Sequence, residues 1–277
     1  MKETKTIIDA SKTSLKLNLK EIFQYRDLFL ILAYRDYRVR YAQTFLGFAW
    51  AFIQPFTTLL IFTIVFGKAA KVDTGDIPYP VFAICGMSAW SYFSYVLAQS
   101  GNSIISAQNM VKKIYFTRLI IPLSKAMVGF INFGITLLFL LILMLYYQVT
   151  PSQNIVFLPA FALIGIMAAL GVGIWLSALT IRFRDFQHIV PFLVQFGLYA
   201  TPVAYPADLV TESLPEWASI AYFFNPMAGV AEGFRWSILG TGTISGYSII
   251  SFVLVFLIFV SSVFYFKKVE KVMADIV

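Results

Sequence analysis

Six runs of mostly apolar residues, at 46–67, 79–99, 122–147, 155–181, 189–205 and 247–266, leave this chain few ways to fold. A helix needs about 20 such residues to cross a hydrocarbon core roughly 30 Å thick. The fifth run is short and ends at two prolines, Pro202 and Pro206. The runs are continuously apolar rather than alternating, so they read as helices and not as barrel strands. Composition agrees. Of 277 residues, 59% are apolar and 13% charged, against about a quarter charged in an ordinary soluble domain. A disordered chain needs the opposite balance. The expected fold is all-α integral membrane, with six transmembrane helices over 42–277. A cytoplasmic segment, 1–41, precedes them and carries an interfacial helix. No cleavable signal peptide is expected, because the first 24 residues hold five Lys and no apolar core.

The placement of Lys and Arg gives the orientation. Eighteen of the 21 precede the first run, lie between or at the edges of the second and third, lie between the fourth and fifth, or follow the sixth. Lys68, Lys71 and Arg235 fall on the other side. The basic side is cytoplasmic by this rule, so both termini are expected inside. The net charge of +7 is then first a topology signal. Attraction to anionic lipid head groups is a second reading. No basic domain stands apart from the bilayer, so nucleic acid is not an expected partner.

Residues 22–41 interleave Ile22, Phe23, Leu28, Phe29, Ile31, Leu32 and Val39 with Arg26, Asp27, Arg35, Asp36, Arg38 and Arg40. An amphipathic helix of this kind lies in the interface plane. It serves either as a membrane anchor or as a docking face for a cytoplasmic partner. The loop 100–121 sets Asn109, Lys112 and Lys113 among Ile104, Val111 and Ile114, which predicts a short surface helix. The elbow at 182–188 contains Arg184 and Asp185, and its ordinary reading is positive-inside anchoring. On the opposite side, 206–246 is the one long loop. Its apolar pieces, 217–224 and 227–239, are broken by Asn225-Pro226 and are each too short to span. Glu232 and Arg235 suit lipid badly. Two short re-entrant helices sheltered by protein are expected, with a seventh span as the alternative.

Several chemistries are missing. One Cys, Cys85, and one His, His188, exclude a disulfide framework and a cysteine or histidine metal cluster. No Asp, Glu, Arg or His falls near the middle of a run. That argues against an ion-coupled carrier and against an intramembrane hydrolase or transferase. No phosphate-binding G-x-x-x-x-G-K-[ST] loop occurs, because Phe62 stands where the first glycine is needed before Gly67-Lys68. The chain is not expected to be an enzyme or to bind ATP itself. Uphill transport would draw its energy from a second protein.

Aromatics recur at helical spacing. Phe45, Phe48, Phe52 and Phe56 share one face of the first run, and Phe192, Phe196 and Tyr199 one face of the fifth. Trp90 and Phe93 lie near the end of the second. Gln54 and Gln195 add hydrogen-bonding groups to the first and fifth. Lipid contact, helix packing and interfacial belts are the ordinary readings. The functional reading is a conduit, since sugar C–H faces stack on aromatic rings. The cluster Gly165, Ala168, Ala169, Gly171 and Gly173 reads as close helix packing.

These residues, in their order, resemble the membrane subunit of polysaccharide ABC exporters, which export O-antigen, capsule or teichoic-acid polymers. The matching stretches are Arg35-Asp36 with Arg38, Arg40 and Tyr41; Leu46-Gly47 with Trp50, Gln54-Pro55 and Phe66-Gly67; and Tyr79-Pro80 with Gly86, Trp90 and Phe93. Further along they are Lys113 with Pro122-Leu123; Arg184-Asp185 with Pro191 and Gln195; Pro202-Val203; and Asn225-Pro226-Met227 with Gly229 and Arg235. They cover about residues 22–240. The resemblance implies a homodimer in the bacterial inner membrane, working with two cytoplasmic ATPase subunits that hold ATP and Mg. It implies a coupling helix holding Asn109, Lys112 and Lys113, and a cytoplasmic gate at Arg184 and Asp185. It places the first and fifth spans on the conduit and implies a polymer carried on undecaprenyl diphosphate. Arg38 and Arg40 are candidates for the lipid diphosphate, because guanidinium suits bidentate phosphate contact; anchoring is their ordinary role. O-antigen is the first expected cargo. Capsule or teichoic acid, or a small drug or lipid, remain alternatives, as does a channel without ATPase partners.

Overall fold

The computed structural model describes residues 23–41, 47–114, 116–242, 244–271 and 273. Phe45 and most of the segment 1–41 that precedes residue 23 lie outside the described residues. Among those described, every regular element is helical. In chain order they are α1 (Arg26–Tyr41), α2 (Trp50–Phe62), α3 (Tyr79–Gly101), α4 (Ser103–Ser106), α5 (Gln108–Lys113) and α6 (Ile120–Tyr146). There follow α7 (Leu158–Arg182), α8 (Phe186–Ala200), α9 (Asp208–Ser213), α10 (Glu216–Tyr222), α11 (Pro226–Leu239) and α12 (Ser248–Glu270). A 3₁₀ turn, Gly47–Ala49, precedes α2 and a π-helical stretch, Thr63–Ala69, continues it.

Five helical segments are long and apolar enough to cross a membrane: Gly47–Ala69, Tyr79–Gly101, Ile120–Tyr146, Gln153–Arg182 and Ser248–Glu270. They overlie five of the six apolar runs. The fifth run differs. Its helix, α8, has 15 residues, or about 22 Å at 1.5 Å per residue, short of a roughly 30 Å core. The cause is local. Thr201 precedes Pro202, which disfavours the helical region for it, and Thr201 is extended at φ −96° and ψ 142°.

Contacts give the helix directions. The basic end of the bundle is the one holding Gly101, Ile120 and Arg182. α6 runs antiparallel to α3: Ser100 donates to the Pro122 carbonyl at 3.0 Å, and Ser91 pairs with Thr136 at 3.2 Å. α7 runs parallel to α3, with Gly173 against Ser100 and Gly165 sharing a hollow with Ala89. α12 runs parallel to α7, from Phe161 beside Phe252 to Trp175 stacked on Tyr265 at 4.8 Å. The small residues of α7 permit this, since Gly171 touches the backbone of Phe259. Because α7 and α12 point the same way, the chain between them must return. Residues 190–204 do so along α3: Val190 lies at Gly101, Gly197 at Trp90, Val203 at Gly86 and Ala204 at Tyr79.

α3 is therefore the central helix. It is the least apolar of the five long segments and yet by far the most buried, with every residue from Val81 to Trp90 inside. Its neighbours are protein rather than lipid, so its surface need not be oily. α11 closes the far end by packing on α3, α7 and α12. The long loop thus holds the two expected short helices, here α10 and α11, and one more, α9. Asn225 caps α11 by accepting from the Met227 amide at 2.9 Å, and Pro226 takes its first position.

α1 packs on α6 through buried Leu32 and Ala33 and through an ion pair between Asp36 and Lys125. Arg35 donates to the same Asp36 carboxylate at 3.0 Å. Lys125 retains only 7% exposure. Asp36 is partly buried and keeps Arg35, so losing Lys125 costs less than the roughly 3–5 kcal/mol of stranding one charge of a fully buried pair, whereas replacing both with apolar groups is often neutral. Lys125→Met should therefore lower the thermal unfolding midpoint in detergent. The double variant Lys125→Met with Asp36→Leu should recover most of that loss.

Candidate functional site

The two aromatic stripes have different surroundings. On α8, Phe192, Gln195, Phe196 and Tyr199 form one exposed face, and the Phe192 and Phe196 rings stand 4.1 Å apart. Phe48, in the 3₁₀ turn before α2, and Phe56 of α2 are exposed, while Phe52 is partly covered. Phe52 and Phe56 lean on Phe139 of α6, at 6.0 and 6.4 Å. Gln54 is exposed but lies two residues from Phe52, hence on another face. Trp90 and Phe93 do not join the exposed face: they are 7% and 6% exposed, with ring centroids 5.3 Å apart. Trp90 fills the space over Gly197, where an added Cβ would fall 2.6 Å from its ring. Trp90 thus supports α8, and Phe93 packs beside Trp90.

The stretch after α8 is irregular backbone, turns and bends over residues 201–205. Residues past a helix end leave carbonyls without intrahelical partners, and in a dry interior each must find a donor. Three side chains supply them. Asn225 Nδ2 donates to the Ala200 carbonyl at 3.2 Å and to Thr201 Oγ1 at 2.9 Å. Tyr79 donates its hydroxyl to the Ala204 carbonyl at 2.8 Å. Arg235 donates from Nη2 to the Val203 carbonyl at 2.7 Å and from Nη1 to the Tyr205 carbonyl at 3.3 Å. The guanidinium also lies 3.8 Å from the centre of the Phe82 ring. Burial pulls Arg235 down to about 10, which leaves it cationic at neutral pH. Tyr79, Asn225 and Arg235 stand out in the sequence, but nothing there shows that they serve one stretch of backbone. The signal is an apolar run that stops early at a proline, and an arginine, with Glu232 one turn before it, in a mostly apolar helix.

One turn before Arg235, Glu232 accepts from Ser248 Oγ at 2.7 Å, tying α11 to α12. Glu232 and Arg235 border a cavity of about 600 Å³ at the far end, with Asp73, Asp76, Asp208 and Glu212 also on its walls. Burial pushes the Glu232 carboxyl up to about 7, against the opposing effect of the Ser248 hydrogen bond.

At the basic end, Asn109, Lys112 and Lys113 are all exposed on α5, while Val111 turns inward to anchor it. Arg184 and Asp185 are exposed in the turn between α7 and α8, which closes through the Gln187 amide on the Arg184 carbonyl at 3.1 Å. Arg118 fastens the segment after α5 to the end of α12, its amide on the Glu270 carboxylate and its guanidinium on the Glu270 carbonyl, both at 2.8 Å. Arg38 and Arg40 are not brought together. Residues two apart face different ways on a helix: Arg38 is exposed, 6.0 Å from the Tyr34 ring, and Arg40 lies 4.5 Å over Tyr95 of α3. Among the described residues, no group of three or more His, Cys, Asp or Glu is placed to hold a metal ion.

Residues 27–239 match the family model described as ABC-2 type transporter. An O-antigen export system permease protein of Klebsiella pneumoniae is 30% identical over 222 residues, 80% of this chain and 82% of its own length. One from Myxococcus xanthus is 28% identical over 217 residues, 78% of this chain and 82% of its own. A polysialic acid transport protein of Escherichia coli is 23% identical over 202 residues, 72% of this chain and 76% of its own.

The Glu232 shift gives a pH signature. An acid whose folded value lies above its ordinary 4.5 favours the fold when protonated. That contribution is complete below about 4.5 and is lost as pH rises through about 7. The unfolding midpoint in detergent should therefore fall between pH 5 and pH 8. Glu232→Gln, which still accepts from Ser248, should flatten this dependence.

Proposed function

Since this chain belongs to the ABC-2 type transporter family, we propose that it is the membrane subunit of an ATP-driven exporter of polysaccharide, O-antigen first. The reading rests on one observation above all: α8 presents three rings and a glutamine on a single exposed face beside an unwound backbone. Such a face offers a sugar chain stacking surfaces and a hydrogen-bonding side chain without gripping it. Similarity to O-antigen export permeases over about four-fifths of both chains supports the cargo. A capsule polymer is the second reading, favoured by the likeness to a polysialic acid transport protein.

In this reading the basic end faces the cytoplasm, and both termini lie there. The segment 190–205 completes a sixth crossing beside α3, and α10 and α11 dip in from the far side. The parallel course of α7 and α12 supports that count. Two copies join so that their α2 and α8 faces border one conduit. Buried Trp90, with Phe93 beside it, supports α8, while Phe48, Phe52, Phe56, Phe192, Gln195, Phe196 and Tyr199 meet the polymer. ATP and Mg are held by a separate pair of ATPase subunits. Exposed Asn109, Lys112 and Lys113 receive the stroke through α5. Arg184 and Asp185 sit at the mouth, and Arg38, the more exposed of the two arginines, meets the diphosphate of an undecaprenyl carrier.

Deleting the gene, with the ATPase intact, should abolish surface polysaccharide while lipid-linked polymer accumulates inside. Unchanged surface polymer would sink the export reading. Phe196→Asp should block passage, because a carboxylate replaces a stacking surface in a narrow path; normal surface polymer would remove α8 from the conduit. Asn109→Ala with Lys113→Ala should leave the protein in the membrane and the ATPase turning over, with export lost. Retained export would move coupling elsewhere.

A further inference from the structure

We propose that Arg235 is the positioning residue for the aromatic face of α8, acting by holding the unwound stretch 200–205 against α3. The purpose of that face rests on the export reading above; the positioning does not.

The argument starts from the backbone. α8 ends at Ala200, and the chain continues through turns and bends over residues 201–205. Four of its carbonyls, at 200, 203, 204 and 205, accept from side chains. Arg235 serves two of these four, and it is the one donor that spans the stretch. A guanidinium can do this because its donors are set in a rigid planar fork; an ammonium group is a point donor and has no flat face. Phe82 fixes the plane of that fork at 3.8 Å. Gly86, one turn on along the same face of α3, leaves room for it, since a Cβ there would fall 2.7 Å from Nη2 and 3.0 Å from the Val203 carbonyl oxygen.

The clamp is in turn fixed to the bundle. α11, which carries Arg235 and is capped by Asn225, is tied to α12 through Glu232 and Ser248 at 2.7 Å. Ser251 adds bonds to the carbonyls of Phe223 at 2.8 Å and Asn225 at 3.0 Å. Tyr199 lies four residues before Val203, and Tyr205 returns a hydrogen bond to the Tyr199 carbonyl at 2.8 Å. Any shift of the stretch is thus passed directly to Tyr199 and, one turn back, to Phe196. On the other flank Trp90 presses on Gly197. The aromatic face is held between a packed ring and an arginine clamp.

The test reads position directly. Cys85 is fully buried, so the chain has little thiol background. Tyr199→Cys is introduced as a reporter, with Leu145→Cys, on the exposed last turn of α6, as a control. Maleimide labelling rates are measured in membranes lacking both polymer and ATPase, so the result is independent of any export activity. Arg235→Gln should change the rate at Tyr199→Cys by about fivefold or more, the equilibrium counterpart of losing one ordinary hydrogen bond. Gly86→Ala, which keeps the arginine but crowds it, should change the rate in the same direction. Arg235→Lys should restore it only in part. Phe82→Leu, which keeps every hydrogen bond and guards against misfolding of the other variants, should give a smaller change of the same sign. Rates at Tyr199→Cys equal to the parent in these variants would overturn the proposal. An equal change at Leu145→Cys would overturn it too, because that is loosening of the whole bundle.

Discussion

A backbone carbonyl in a dry interior must have a donor, and one stretch of this chain cannot supply its own. Five long segments satisfy their amides internally, as helices do in lipid. The chain after Ala200 is not helical, so its carbonyls depend on Asn225, Tyr79 and Arg235. Much of the far end follows from that need. α11 must lie close enough for Arg235 to reach. Phe82 flanks the guanidinium, and the glycine at position 86 leaves room for it. Ser248 and Ser251 of α12 then hold α11 in place.

The same logic explains why the least apolar long helix is the central one. α3 is packed by α6, α7, α8 and α11. Its Ser88 and Ser100 donate to carbonyls at 2.6 and 3.0 Å. The outer helices keep oily surfaces because nothing in the subunit covers them. α8 belongs to both groups, since it rests on Trp90 with one side and leaves Phe192, Phe196 and Tyr199 open on the other. That dual position is what makes it the natural wall of a path between two copies in the proposed exporter.

At the basic end, charge is used in two ways. Asp36 and Lys125 neutralise each other inside, and so attach α1 to α6. Lys112, Lys113 and Arg184 stay in the open, on short elements held by Val111 and by turn hydrogen bonds. Exposed charges on fixed short elements suit contact with a soluble partner, and the ATPase in the proposed mechanism is that partner.

The sequence by itself determined where the long helices run, which ends carry the positive charge, and the two short helices split at Asn225-Pro226. It also carried the residue pattern of the family. Hydropathy and charge report exclusion from water, and those features depend on nothing else. Only the tertiary structure decided what each apolar face touches. Trp90 and Phe93 have the same spacing logic as Phe192 and Phe196, yet one pair is buried and the other open. Arg38 and Arg40 look alike in the chain, but one meets Tyr95 and the other stays exposed. The early end of α8 and the work of Arg235 were hidden for the same reason. An apolar residue in a span is equally content against lipid or protein, and a buried arginine is tolerable only if distant carbonyls come to it.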